Sequence, residues 1–325
     1  MAELAIEVEG LTRDFGALRA VDHLSFTVGV GEVFGFLGPN GAGKTTTLRM
    51  LTTLLAPTAG TARIFGHDVN RDGYNARRQF GVVPEESNIY TELTAWQNLM
   101  FGAELYSIHG REREQRGKEL LQMFELWDRR NSRAETFSKG MRRRLTIAVS
   151  LMHQPRLLFL DEPTSGLDVQ SVLAIRELIH KLNEMGATIF LTTHQIEEAN
   201  LLCDRVSIIN RGQLVALDTP ERLKRTIEQV QAVEVSLSSG ADDDVTALLA
   251  LPTVIRGGKM GDKVRLYTSE VDRTVRLVMD YAESVGKPIL SLNTLGPSLE
   301  EVFLHLINGP VGSTEKRQSR GGKNG

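Results

Sequence analysis

Short apolar runs alternate with helical patterns along most of this chain. Residues 5–8, 24–28 and 33–37 predict three strands, and the third leads into glycines and then a helical pattern from Lys44. Several later runs lack polar alternation, which is typical of strands buried on both faces of an α/β sheet. These runs are residues 61–65, 80–83, 157–160, 188–192 and 206–209. The pattern therefore predicts an α/β domain with a mixed sheet.

A charged, amphipathic pattern separates two of the predicted strands and indicates a helical insert over about residues 89–150. Within it, apolar Leu120, Leu121 and Phe124 recur among charged residues. A polar helix then leaves the first domain, which we predict to span residues 1–225.

The remaining chain predicts a second, smaller domain over residues 230–308. Its order of strand, helix, two strands, helix and strand is that of a split βαβ, ferredoxin-like α+β module. Ser298 and Glu301 predict a capping box for a closing helix. The polar, glycine-rich residues 309–325 predict a disordered tail.

Composition and charge narrow the class of protein. The 325 residues carry a net charge of -3, which gives no positive field for nucleic-acid binding, so we expect no nucleic-acid partner. No apolar run is long enough for a membrane span, and the first residues lack a signal peptide, so we expect a cytoplasmic protein. The single cysteine, Cys203, lies in an apolar run and predicts a buried, reduced thiol.

The segment from Gly38 to Thr45 fits the phosphate-loop pattern G-x-x-x-x-G-K-[ST] and lies between a predicted strand and a predicted helix. Glycines let backbone N–H groups surround phosphate oxygens, Lys44 places a charge on the β and γ phosphates, and the Thr45 hydroxyl is a ligand for Mg²⁺. ATP and Mg²⁺ are therefore the predicted cofactors. The candidate nucleotide-binding residues here are Gly38, Pro39, Asn40, Gly41, Ala42, Gly43, Lys44, Thr45 and Thr46.

Three more candidates follow predicted strands of the same sheet. Asp161 and Glu162 end an apolar run, where ligands bind in open α/β sheets. Asp161 is suited to hold Mg²⁺, and Glu162 to act as the base that activates water. His194 follows another strand and can donate a hydrogen bond to the γ-phosphate. By themselves these carboxylates also fit an acidic helix cap, and the histidine a structural role.

With these motifs in order, residues 6–222 resemble an ATP-binding subunit of the ABC transporter family. The resemblance implies that Phe15 stacks on adenine, although an ordinary core residue is the alternative. It places the family signature at residues 137–141, where Ser138, Lys139 and Gly140 face the nucleotide of a second subunit. It also implies that the loop Ser165, Gly166, Leu167 and Asp168 joins the two sites of a dimer.

Two residues depart from the family pattern. Glu85 stands where the family usually has glutamine, a Mg²⁺ contact, and Lys139 stands where the family signature has a glycine. An ionised Glu85 near a triphosphate predicts weaker or more Mg²⁺-dependent nucleotide binding. Three segments resemble the ATPases of ABC-2-type exporters, including daunorubicin-type drug-resistance pumps. They are residues 84–86, residues 137–141 and residues 299–304 of the closing helix.

The resemblance also implies partners. ATP closes two subunits, identical or related, and hydrolysis reopens them to move an integral membrane permease at the inner face of the cell membrane. Tyr90 and Leu93 are candidate permease contacts, with an ordinary surface patch as the alternative. Arg142, Arg143 and Arg144 predict a solvated basic face, although one of them could hold an anion or a partner. For the second domain we expect a role in dimerisation or regulation.

Three alternatives share the nucleotide chemistry, and one of them, an importer ATPase, usually has glutamine at the position of Glu85. A non-transport ABC ATPase usually has two such domains or a long coiled coil, and this chain shows neither pattern. A catalytically weak ATPase, a nucleotide-dependent clamp, is disfavoured by the presence of Glu162 and His194. The transported substrate is not indicated by any residue of this chain.

Overall fold

The computed structural model describes residues 3–225, 231–238, 244–296 and 298–308. By its contacts the chain divides into two compact units, Met1–Thr219 and Pro220–Gly325. The division lies just before the predicted end of the first domain at residue 225, since the helix Pro220–Arg225 belongs to the second unit.

The first unit contains two sheets. A six-stranded sheet has the order β10-β9-β3-β8-β7-β6, and its strands are parallel except for β10; a four-stranded antiparallel sheet has the order β2-β1-β4-β5. The described strands are β1 (Leu4–Phe15), β2 (Leu18–Gly29), β3 (Val33–Leu37), β4 (Ala59–Ile64), β5 (His67–Asp68), β6 (Phe80–Val83), β7 (Leu157–Asp161), β8 (Thr188–Thr193), β9 (Arg205–Asn210) and β10 (Gln213–Asp218). The predicted strands are thus present, and the sequence pattern missed β5 and β10.

Seven helices of the first unit lie in the described residues, and the predicted insert contains three of them. They are α1 (Lys44–Leu51), α2 (Gly73–Gln79), α3 (Ala95–Leu105), α4 (Gly110–Met123), α5 (Lys139–Ser150), α6 (Val169–Glu184) and α7 (Ile196–Leu202). Short 3-10 turns lie at Trp127–Arg129 and Ala134–Thr136. In the part of the chain that is described, no helix is both long and apolar enough to span a membrane.

Polar side chains fix where the helices around the site begin. Ser138 precedes α5 and accepts a hydrogen bond from the Met141 backbone N–H, at 3.2 Å. Asp168 precedes α6 and accepts from the N–H of Ser171, at 2.9 Å. A cap of this kind satisfies an N–H group that has no partner within its helix, so these residues set the two helix starts.

Aromatic rings hold the core beneath the site. Phe190 on β8 is fully buried, and its ring centroid lies 5.6 Å from that of Phe34 and 5.5 Å from that of Phe36. Phe159 on β7 meets it edge-on at 5.4 Å. The site residues lie at the carboxyl ends of these strands, so the packed rings hold in place the strands that carry the site.

The second unit opens with α8 (Pro220–Arg225) and contains a four-stranded antiparallel sheet in the order β12-β13-β11-β14. Its other elements are β11 (Gln231–Leu237), α9 (Val245–Leu249), β12 (Arg256–Met260), β13 (Lys263–Thr268), α10 (Val271–Ser284), β14 (Ile289–Leu295) and α11 (Leu299–Asn308). This strand order is that of a split βαβ, as predicted.

The predicted capping box of the last helix is confirmed. The Glu301 N–H donates to Ser298 Oγ at 3.2 Å, and the Ser298 N–H donates to Glu301 Oε2 at 3.1 Å. The predicted disordered tail, 309–325, lies outside the described residues.

Candidate nucleotide site

The phosphate loop links β3 to α1 in a backbone conformation that requires glycine. Gly41 and Gly43 have φ angles of 78° and 107°, in the left-handed region that other residues rarely adopt. A Cβ at Gly38 would lie 2.5 Å from the carbonyl oxygen of Ile209, so that position also excludes a side chain. Backbone N–H groups in such a loop, followed by a helix N-terminus, form an anion-binding site.

Lys44 is the cation of this loop and is only 7 % exposed. Its Nζ donates to the carbonyl oxygens of Gly38 at 2.7 Å and Pro39 at 3.3 Å, and lies 3.5 Å from Glu162 Oε1. The ammonium is therefore held over the loop by carbonyls and by the carboxylate of another strand.

The two predicted carboxylates lie at the end of β7. Asp161 Oδ1 accepts a hydrogen bond from the hydroxyl of Thr192 on the neighbouring strand β8. Burial raises the pKa of Asp161, the Thr192 hydrogen bond opposes that shift, and the nearby Glu162 and Glu85 add to it. Repulsion among these acids favours a cation at this edge of the sheet.

Glu162 and His194 form a close pair. His194 Nδ1 lies 2.8 Å from Glu162 Oε2, and the His194 backbone N–H donates to the same oxygen at 3.3 Å. Glu162 has a φ of 46°, a left-handed conformation that is uncommon outside glycine, and its side chain is buried. The chain therefore holds a carboxylate between a lysine and a histidine at a fixed point.

These groups border an open cleft of about 540 Å³. Phe15 lies on its wall and is 46 % exposed, so the alternative that it is a core residue is wrong. Gly38 and Ala42 belong to the loop without lining the cleft, and Asp161 lies at the strand end. The lining residues are Phe15, Leu18, Ala20, Pro39, Asn40, Gly41, Gly43, Lys44, Thr45, Thr46, Glu85, Glu162, Ser165 and His194.

The predicted signature residues lie outside this cleft. Lys139 and Leu167 border a second cavity of about 480 Å³, which shares Glu85 and Ser165 with the first. Ser165 Oγ donates to Glu85 Oε1 at 3.4 Å, which connects the two loops.

Close packing joins the signature to the loop at residues 165–168. A Cβ at Gly166 would lie 2.3 Å from Lys139 Nζ, so the lysine lies against that loop. A Cβ at Gly140 would lie 2.2 Å from Ser171 Oγ, which also donates to Asp168 at 2.8 Å. The loop and the start of α5 therefore form one packed surface.

The prediction of a solvated basic face at Arg142–Arg144 is wrong for Arg143. This side chain is 5 % exposed, because it lies on the same face of α5 as buried Gly140 and Ile147. Helical spacing was the available signal, since positions three and four apart share a face. Arg144 remains partly exposed and pairs with Glu125 Oε2 at 3.0 Å.

Glu198 is a buried residue near the site that no sequence pattern predicted. Glu198, on α7, is fully buried, and its Oε1 accepts from Thr164 Oγ1 at 2.7 Å. Burial raises the pKa of Glu198, and hydrogen bonds from Thr193 and Thr164 oppose the shift. Thr164 follows Glu162 closely and Thr193 precedes His194, so Glu198 joins the loops that carry the pair.

The loop before α3 and the helix itself together expose an aromatic pair. Tyr90 is 50 % exposed and meets Phe101 edge-on at 5.0 Å, while Leu93 is half-buried. The buried side chain of Asn98 accepts from the Tyr90 N–H at 2.8 Å and donates to its carbonyl at 2.9 Å. Asn98 thus fixes the backbone that carries the exposed ring of Tyr90.

Comparison with known proteins shows the family of the chain. The model of the ABC transporter family matches residues 21–165. The chain is 34 % identical to the linearmycin resistance ATP-binding protein LnrL of Bacillus subtilis, over 93 % of this chain and 97 % of that protein. It is 37 % identical to the daunorubicin/doxorubicin resistance ATP-binding protein DrrA of Streptomyces peucetius, over 94 % and 93 %.

A solved structure extends the comparison to the fold. A dimeric ATP-binding cassette in a post-hydrolysis state, bound to ADP and Pi, matches with a TM-score of 0.60 and 28 % identity. The match covers 66 % of this chain and 98 % of that one.

The fold and the cleft define a phosphate-loop ATPase with a mixed sheet and a helical insert. The chain belongs to the ABC transporter family, as an ATP-binding subunit. The predicted ATP hydrolysis that drives a transporter is confirmed at the level of this family, and the clamp alternative is not favoured.

Proposed function

We propose that this chain powers export through a separate membrane permease, as a Mg²⁺-dependent ATPase that works as a dimer. The observation that carries the proposal is the Glu162–His194 pair, 2.8 Å apart, beside Lys44. The chain is similar in sequence to two drug-resistance ATP-binding proteins over at least 93 % of each protein, and this similarity supports export. The permease, rather than this chain, recognises the cargo.

The proposal gives roles to the phosphate loop and to three further residues of the cleft. Lys44 and the phosphate-loop N–H groups bind the phosphates, and Phe15 stacks on the base. Glu162 accepts a proton from the attacking water, and His194 holds that carboxylate and contacts the γ-phosphate. The exposed ring of Phe15 and the buried carboxylate of Glu162 suit these roles.

The residues present also fit Mg²⁺. No cluster of three metal-binding side chains lies among the described residues, but Mg²⁺ needs only one or two carboxylates when phosphates and waters complete its shell. Thr45 and Glu85 line the cleft, and Asp161 ends the adjoining strand, where burial and then the nearby Glu162 and Glu85 raise its pKa. These three residues would hold the ion, which neutralises charge on the transferred phosphoryl group.

The position of the signature supports a dimer. Ser138, Lys139 and Gly140 do not line the cleft of their own chain. A second subunit, identical or related, would bring these residues to the phosphates, with the loop at 165–168 between the sites. Tyr90, Leu93 and Phe101 form the proposed permease contact, which would place the chain at the inner face of the membrane.

The test measures ATP hydrolysis and molecular mass with Mg²⁺ATP for the wild type and Glu162→Gln. We expect turnover in the wild type, and a stable ATP-dependent dimer with turnover at least about 100-fold lower in the variant. Glu184→Gln, an exposed glutamate at the end of α6, is the matched control and should hydrolyse ATP normally. Normal turnover in Glu162→Gln would remove Glu162 from its role.

A further inference from the structure

The buried side chain of Arg143 donates hydrogen bonds to two loops of the site. Its Nη2 donates to the carbonyl oxygens of Asp161 at 2.7 Å and Glu162 at 2.8 Å, and its Nε donates to that of Pro163 at 2.9 Å. Its Nη1 donates to the carbonyl oxygens of Pro84 and, at 3.4 Å, of Glu85. One guanidinium therefore fixes the backbone of the last residue of β7, of the two residues after it, and of the two residues after β6.

The geometry of this contact depends on arginine. A guanidinium offers five N–H donors in a rigid planar fork, whereas a lysine offers three donors from a single point. Lysine at position 143 would keep the positive charge, but it could not span both loops. The function of the residue can thus be separated from its charge.

The surroundings of Arg143 are acidic. Burial lowers the pKa of the guanidinium, and the charges of Asp161, Glu198, Glu85 and Glu162 oppose that shift. The positive charge of Arg143 therefore lies among four carboxylates. None of these hydrogen bonds of Arg143 goes to Lys44 or to the phosphate loop.

Arg143 projects from α5, the helix that Ser138 caps and that carries the signature at its start. We propose that Arg143 is a positioning residue: it holds the Glu162 and Glu85 loops against α5, so that the place of the base follows the place of the signature helix. The inference rests on the proposed role of Glu162. Arg143 would thereby couple the position of Glu162 to that of α5 within one chain.

The experiment compares Arg143→Lys with Arg144→Lys, its neighbour on the same helix, in the full chain. We expect Arg143→Lys to lower kcat about 100-fold, since small misplacements of catalytic groups have effects of that order. The affinity for ATP, measured with a fluorescent nucleotide, should change little, because the phosphate loop is untouched. Arg144→Lys should match the wild type in both.

A double variant tests whether Arg143 acts through Glu162. If it does, Arg143→Lys should cause no further loss of rate in a Glu162→Gln background, because the two changes remove one function. Additive losses would overturn the proposal, as would equal kcat values for Arg143→Lys and Arg144→Lys. Joint loss of ATP affinity and cooperative unfolding in Arg143→Lys would make the residue a general stabiliser and would also overturn it.

These outcomes are separable from failure of the proposed function. Normal turnover in Glu162→Gln alone would reject Glu162 as the base, whatever Arg143→Lys does. A slow Arg143→Lys together with a slow Glu162→Gln, and no added effect in the double variant, supports both.

Discussion

Replacing Glu198 measures how the loops of Glu162 and His194 are held together. In Glu198→Ala the Thr164 hydroxyl, in a 2 % exposed residue, loses its acceptor, at a cost of about 1–3 kcal/mol. Loss of the buried methylene adds about 0.8 kcal/mol. We therefore expect unfolding free energy to fall by about 2–4 kcal/mol. Glu198→Gln keeps an oxygen acceptor and the methylenes, so its change should stay within about 1 kcal/mol.

The pH dependence of the glutamine variant has a definite sign. Burial raises the pKa of Glu198 in the folded state above its unfolded value. The neutral acid is therefore favoured by folding, and this contribution is full below the unfolded pKa and is lost as pH rises through the folded pKa. Glutamine does not ionise, so the stability of Glu198→Gln relative to wild type should increase over that rise.

Urea unfolding provides the measurement, with Glu197→Ala as control because Glu197 is the exposed neighbour on the same helix. With a slope of about 3 kcal/mol per molar urea, a loss of 3 kcal/mol moves the midpoint by about 1 M. Equal midpoints for Glu198→Ala and Glu197→Ala would refute the reasoning. So would a glutamine variant as unstable as the alanine variant.

Three further predictions concern single positions. Gly38→Ala should lower stability by about 1–3 kcal/mol and weaken ATP binding, since its Cβ meets the Ile209 carbonyl, whereas Gly258→Ala, with open space around it, should be neutral in thermal unfolding and ATP titration. Glu85→Gln should bind ATP more tightly when Mg²⁺ is absent, because it removes a negative charge from the cleft that would hold the triphosphate; an unchanged ATP affinity without Mg²⁺ contradicts this. Cys203 is buried and its pKa is raised well above its usual range by that burial, so a thiol reagent should label it slowly in the native protein and rapidly in urea; fast native labelling would contradict its burial.

Much of the fold could be predicted because it depends on local pattern. The apolar runs that become β3 and β6 were predicted to the residue, since strands buried on both faces have no polar positions. The strand Gln213–Asp218 was missed because it lies at the edge of the sheet and is largely half-buried, which leaves a mixed pattern. The capping box at Ser298 was predictable because both of its hydrogen bonds join residues close in sequence.

The sequence alone determined the chemistry that contiguous residues carry. A phosphate loop needs its glycines and Lys44 in one short segment, and the strand before Asp161 delivers a carboxylate wherever the sheet forms. Only the tertiary structure decided that His194 meets Glu162, that Glu198 joins their loops, and that Arg143 is buried. Each of these contacts brings together residues far apart in the chain, and burial of a charged side chain depends on what packs over it.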